Sequence, residues 1–453
     1  MKSDAAASLG ILDKFFKIGQ RGSTVKTELL AGLTTFVAVA YIIFVNPNIL
    51  AESGIPKEAA IAATIWATVF ATTIMALWAN YPVAVAPGMG LNAFFTYTAV
   101  KMFGLTWQAA LGAVFISGIV FLLLTLGGVR QAIIRAVPMN LKSAIGVGIG
   151  VFIAFIGLQS SGLVVDSPAT LVSAGHVANV TFEMGQPAPL LTCLGIIFTG
   201  VLMSRGIKGA MLLGILFTTI LGMLTGACPI PDGLSSLVST DVPSLSTTFM
   251  AMDLRSAIQF GVFSIIFTFT IVELFDNLGT LIGVTKKTGL MKKDGSIESI
   301  DRALTSDAIG TMASAVVGTS TVTSYVESAA GVAEGGRTGL TALVVAGLFL
   351  VALFFSPLIG LVPGFATAPA LIIVGAIMMS EMASINFSDM TDAIPAFLTI
   401  IMMPLTYSIA NGFAFGFISY TLLKLCTGRR QEVSIVMMVV SLAFVFNFVL
   451  RLH

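Results

Sequence analysis

Glu273, Asp276 and Asn277 stand one helical turn apart in the stretch TIVELFDNLGTLIGV (270–284), which follows an uncharged run, 256–272. On a helix, i, i+3 and i+4 share a face, so the three polar groups are predicted to line up. A charge at the centre of a bilayer costs on the order of 2.5–3.5 kcal/mol even on the lenient insertion scale, so acids in such a run must be compensated. Two carboxylates one turn apart repel when both ionise, and burial favours the neutral acid, so the pair is predicted to hold a proton. That makes the face a proton carrier or a substrate-binding surface. A cation site and a structural pair capped by helix ends are the alternatives.

Glu327 follows the hydroxyl-rich stretch Thr319 to Ser324 and begins a helix, where a carboxylate complements the positive helix end. A simple first-turn acid is the competing reading. Asn92 follows PGMGL (87–91) and can offer both a donor and an acceptor to a polar heterocycle. Phe94, Phe95 and Tyr325 are near enough in sequence to stack on one, although in a chain with 33 phenylalanines packing is the commoner role. Pro82, Pro87, Gly88 and Gly90 interrupt regular helix and free backbone groups for a ligand. Arg337 and Glu334 read as a structural ion pair or an interfacial anchor.

The elements that must hold these residues are set by composition. Of 453 residues, 56% are hydrophobic and 10% charged, with a mean hydropathy of +0.99, against about a quarter charged in ordinary globular chains. Long uncharged runs separate the charges: 29–51, 59–100, 102–129, 143–165, 184–204, 209–231, 308–326, 338–380, 393–423 and 433–450. Roughly 20 residues of helix cross the hydrocarbon. The runs are continuously apolar rather than alternating, which excludes an outer-membrane barrel and leaves helices. A net charge of +1 argues against nucleic acid as a partner, and Cys193, Cys228 and Cys426 lack metal or disulfide spacing. No nucleophile, base and orienter set or metal-ligand cluster is visible, so an enzyme is not expected and no cofactor is implied. The stretch through Lys26 lacks an apolar signal core, so no cleaved leader is predicted.

Lysine and arginine placement predicts orientation. Lys14, Lys17, Arg21 and Lys26 put the N-terminus in the cytoplasm. Arg130, Arg135 and Lys142, then Arg205 and Lys208, then Lys286, Lys287, Lys292, Lys293 and Arg302 mark further cytoplasmic loops. Segments 162–188 and 229–252 carry Asp166, Glu183, Asp232 and Asp241 but no Lys or Arg, and read as external. Counting crossings gives spans near 29–50, 59–79, 88–103, 106–127, 143–162, 188–204 and 208–228. A second seven follow, near 256–284, 305–319, 325–336, 338–357, 360–380, 393–406 and 408–425. The halves share Val137-Pro138 before the fifth span and Val362-Pro363 before the twelfth. Each also has a short, glycine-interrupted third segment, 82–96 and 318–336. Paired interruptions in two oppositely oriented halves point to a transporter's binding site. The last run, 433–450, fits either a fifteenth span or an interfacial helix.

The sequence resembles the AzgA-like purine permeases, bacterial and fungal transporters for adenine, guanine and hypoxanthine. The likeness runs through GLTTFVAVAYIIFVNP (32–47), APGMGLNAFF (86–95), ELFDNLGTLIGV (273–284), TSYVESAAGVAEGGRTGLTA (323–342), VPGFATAPALIIVG (362–375) and GFISY (416–420). It implies an all-α integral membrane fold of fourteen segments in two inverted repeats of seven, with short strands in segments 3 and 10. A core domain (29–127 and 253–357) would move in elevator fashion against a gate domain (128–252 and 358–430). The cytoplasmic segment 1–28 would precede them and the hydrophobic segment 431–453 would follow. The resemblance makes Asn92, Glu273 and Glu327 substrate-binding residues and Glu273, Asp276 and Glu327 the proton-coupling set. Related uracil carriers have a histidine where this chain has Asn277. The only histidines here are His176 and His453, so coupling would run through carboxylates.

The expected function is proton-coupled uptake of purine nucleobases across the bacterial inner membrane, with guanine and hypoxanthine favoured over adenine. Related folds often pair through their gate domains, which makes a homodimer one implication. Another substrate on the same fold (uracil, xanthine or an inorganic anion) and a passive channel are the rivals.

Overall fold

The computed structural model describes residues 10–127, 137–178, 181–231, 233, 237–259, 263–288 and 297–450. The predicted loop residues Arg130, Arg135, Asp232, Lys292 and Lys293, and His453, lie outside these. Among the described residues, seven helices are long and apolar enough to cross a membrane: Val25–Ala51, Lys57–Ala79, Trp107–Leu126, Met139–Ser160, Gly339–Leu361, Gly364–Ser384 and Ile409–Cys426. Shorter apolar helices are Pro189–Ser204, Ala210–Thr225, Ile265–Leu274, Met390–Leu405 and Ile435–Phe446. Leu123, Ile197, Leu224 and Leu442 each expose more than 60% of their surface. An apolar exterior of this kind belongs against lipid, and the chain is a multi-pass membrane protein.

Most elements start and stop within a few residues of the predicted spans. Pro138 and Pro363 directly precede the helices Met139–Ser160 and Gly364–Met378, where a missing N–H costs nothing. The first span is two helices, Val25–Val39 and Ile42–Ala51, joined through Ala40 and Tyr41, and Pro47 inside the second removes one of its backbone hydrogen bonds. Residues Met75–Ala79 and Phe94–Met102 are wound more widely, as π-helix, a form often found beside functional sites.

The two glycine-interrupted segments are where regular helix fails. Each contains a short strand, Val85–Pro87 and Val322–Ser324, and the strands pair antiparallel with Ala86 opposite Thr323. Gly88 N–H donates to the Thr321 carbonyl at 3.0 Å and Tyr325 N–H to that of Ala84 at 2.9 Å, which lengthens the ladder at both ends. Extended backbone is tolerated at membrane depth only where protein encloses it, and all six strand residues are buried. Short helices lead away from both strands: Met89–Ala93, continuing to Met102, and Val326–Ala333.

Three departures from the sequence reading have clear causes. Helix Ile300–Val317 begins five residues before the predicted 305, which brings Asp301 and Arg302 into its first turn. The segment 162–188 contains a largely exposed hairpin, Val164–Ser167 with Leu171–Ala174, whose strands of four residues each are too short to signal a strand pair. Arg337 does not pair with Glu334. Its guanidinium donates to the Val332 and Gly336 carbonyls at 2.7 and 2.8 Å, closing a helix end, while Glu334 pairs with Lys208.

The run 433–450 forms helix Ile435–Leu450, packed on Ile409–Cys426 through a Thr421–Ser441 hydroxyl bond of 2.7 Å and the Phe417 and Phe444 rings.

Candidate functional site

Helix Phe263–Thr288 runs past the paired strands and helix Ile300–Val317 backs them. The strand Val322–Ser324 therefore meets side chains from both. Asn277 Oδ1 accepts the Ser324 backbone N–H at 2.7 Å, and the Ser324 hydroxyl lies 3.1 Å from each oxygen of Asp307. Thr311 donates to Glu273 Oε1 at 2.6 Å and lies 3.3 Å from the Val322 carbonyl. Glu273, Asn277 and Asp307 are fully buried.

Asn92, on the first turn of the half-helix after Pro87, donates to Asn46 Oδ1 at 2.9 Å. Asn46 is fixed in turn by Thr64 and Thr319 at 2.8 and 3.0 Å. Helix Phe263–Thr288 touches Met89–Ala93, and Phe94 stands edge-on to Phe269 with centroids 4.8 Å apart. Phe94 and Phe95 are wholly buried and pack in the core. Tyr325 commits its hydroxyl to the Pro87 carbonyl at 2.5 Å, joining the two half-segments a second time.

Glu327 accepts from the Tyr41 hydroxyl at 2.8 Å and is partly accessible. Asp276 is bonded to the Thr323 side chain, is exposed, and lies within electrostatic reach of both Glu273 and Glu327. The carboxylates Glu273 and Asp276, one turn apart, thus have different surroundings: one is enclosed, the other opens to solvent.

Buried without a partner around the strands are Glu273 Oε2, Asn92 Oδ1 and Asn277 Nδ2, together with the Ser320 and Thr321 hydroxyls just before the second strand. Buried polar groups are normally bonded, so each marks a place that a ligand or a water can fill. Together they offer acceptors and a donor, the complement a polar heterocycle needs. Among the described residues no three His, Cys, Asp or Glu side chains gather as metal ligands.

All four expected site residues lie around the strand pair. Sequence reasoning missed Asp307, Thr311, Asn46 and Tyr41. Asp307 was legible in part, as an acid bordering an apolar run within the predicted span 305–319, but it lies close to Arg302, which marks a cytoplasmic loop. Asn46, Thr311 and Tyr41 carry no signal without their partners.

Residues 26–415 match the Xan_ur_permease model, described as a permease family. The chain belongs to this family. Among its relatives, the putative permease MJ0326 of Methanocaldococcus jannaschii is 47% identical over 97% of this permease and 98% of its own length. The adenine permease AdeP of Escherichia coli is 43% identical, covering 97% and 96%. The guanine/hypoxanthine permease PbuO of Bacillus subtilis is 42% identical, covering 95% and 98%. In fold, the permease resembles the transmembrane domain of the cyanobacterial bicarbonate transporter BicA, with a TM-score of 0.61 at 17% identity over 85% of this chain and 97% of that one. It also resembles SLC26A9, with a TM-score of 0.59 at 9% identity, covering 92% and 69%. These last two establish the architecture alone.

Proposed function

We propose that this permease takes up purine nucleobases together with protons across the bacterial cytoplasmic membrane, with its N-terminus inside. The observation that carries the reading is the set of partnerless buried atoms, Glu273 Oε2, Asn92 Oδ1 and Asn277 Nδ2, around the paired strands. Relatives at 42–43% identity named as adenine and guanine/hypoxanthine permeases support the choice of substrate class.

In this reading Asn92, Glu273 and Glu327 bind the base, with Glu273, Asp276 and Glu327 carrying the proton. A neutral base hydrogen-bonds in the enclosed part of the site. A proton arriving through the accessible Asp276 and Glu327 neutralises the carboxylates, so that the core crosses without an unpaired charge, which would otherwise cost several kcal/mol, on the order of 2.5–3.5 per group. The fourteen segments form two inverted repeats of seven. The core domain, 29–127 and 253–357, slides against the gate domain, 128–252 and 358–430, and the gate domains pair in a homodimer.

Glu273→Gln and Glu327→Gln are expected to lower uptake of labelled hypoxanthine and adenine at least tenfold while the protein still inserts in the membrane. Full uptake in both variants would sink the assignment. Competition by adenine, guanine, uracil and sulfate separates a purine carrier from a pyrimidine or anion carrier on the same fold. Accumulation against a gradient that collapses with an uncoupler separates coupled transport from a channel.

A further inference from the structure

A cavity of about 490 Å³ lies away from the strand pair, at the ends of the segments that the lysine and arginine pattern makes external. Ligand pockets commonly measure about 300–1,000 Å³. Glu52, Tyr97, Lys101 and Met102 line one side, and Gln159 and Tyr407 the other. Tyr97, Lys101 and Met102 continue the half-helix whose first turn carries Asn92.

The floor is built around Tyr407. Its φ of +51° is a left-handed conformation that a tyrosine adopts at a cost, and such strain persists only where neighbours hold it. The Thr98 hydroxyl donates to its carbonyl at 2.9 Å, and its own hydroxyl bonds Gln159 Oε1. The rings of Tyr97, Phe152 and Phe155 surround it at 5.5, 5.6 and 5.7 Å. These contacts fix the Tyr407 ring between the half-helix Phe94–Met102 and helix Met139–Ser160.

The lining charges cancel. Lys101 and Glu52 are 2.5 Å apart, and Glu52 also accepts from the Tyr97 hydroxyl at 2.9 Å. A cation would meet Lys101 and an anion Glu52, whereas a neutral ring meets aromatic surface and the Gln159 amide nitrogen as a donor.

We propose that this cavity is an outer docking site for the neutral planar heterocycle the permease carries, occupied before the base reaches the central site. The proposal rests on the nucleobase reading above, and its test keeps the two apart. Met102→Cys is placed in the full chain with Cys193, Cys228 and Cys426 changed to serine, and intact cells are treated with a membrane-impermeant maleimide. Labelling from outside is expected, slowed at least threefold by saturating adenine or hypoxanthine. The same slowing is expected with Glu273→Gln added, and its loss with Gln159→Ala. No labelling from outside, labelling that neither base slows, or protection that disappears with Glu273→Gln would each overturn the docking site. The last outcome would show protection to be a report of core movement. Uptake measured on the Glu273→Gln chain tests the central site independently, since full uptake there removes that reading whatever the labelling shows.

Discussion

Ser324 is held twice, by Asn277 through its backbone N–H and by Asp307 through its hydroxyl. Removing one partner of a buried group costs about 1–3 kcal/mol, because the donor left behind cannot return to water. Asn277→Ala is therefore expected to lower the melting temperature of the detergent-solubilised protein. Asn277→Asp, which keeps an acceptor oxygen, should recover part of that loss. Asp307→Ala should behave as Asn277→Ala does and also reduce uptake, because Ser324 sits opposite Val85 in the ribbon that presents the site. Glu273 could be picked out from the sequence because its surroundings are apolar on both sides. Asp307 could be picked out only in part, because its burial on the inner face of helix Ile300–Val317 is what shows that it is enclosed.

Glycine sets how closely the elements approach. A Cβ on Gly339 would fall 2.1 Å from the Ala76 carbonyl oxygen, a backbone atom that has nowhere to move. On the same helix, a Cβ on Gly347 would meet nothing within 4 Å. Gly339→Val is expected to lose the monodisperse peak of folded protein in size-exclusion chromatography of detergent extracts, whereas Gly347→Val should keep it. Overpacking costs typically about 1–3 kcal/mol and more where backbone is struck. Glycines at 82–96 and 318–336 marked the interruptions in the sequence. That the two interruptions bond to each other, residue against residue, is a long-range pairing no local pattern encodes.

Across the whole molecule, loop charges tie segment ends together outside the apolar region. Buried Lys424 holds Glu432 at 2.7 Å and Asp392 at 3.0 Å, while Arg429 holds Glu432 at 2.6 Å and bonds Asp389. Arg429, with help from Thr391, keeps the Asp389 carboxyl far below its ordinary range, and Lys424 and then Arg429 depress that of Glu432. A depressed carboxylate contributes stability above its unfolded pKa and loses it as the pH falls through the folded value. The melting temperature should thus drop on acidification below about pH 4, and Arg429→Ala should flatten that drop. An unchanged acid profile in the variant would show that the cluster contributes nothing to the acid limb. By itself the sequence determined that the chain is helical and membrane-spanning, roughly where its helices begin and end, and that acids lie within them, because hydrocarbon penalises every charge and each uncharged run records that penalty. Only the tertiary structure decided which acid is enclosed and which opens to water, that Glu334 pairs with Lys208 rather than Arg337, and which buried atoms lack partners. Those facts depend on neighbours brought together from distant parts of the chain, whose contacts leave no local trace in composition or spacing.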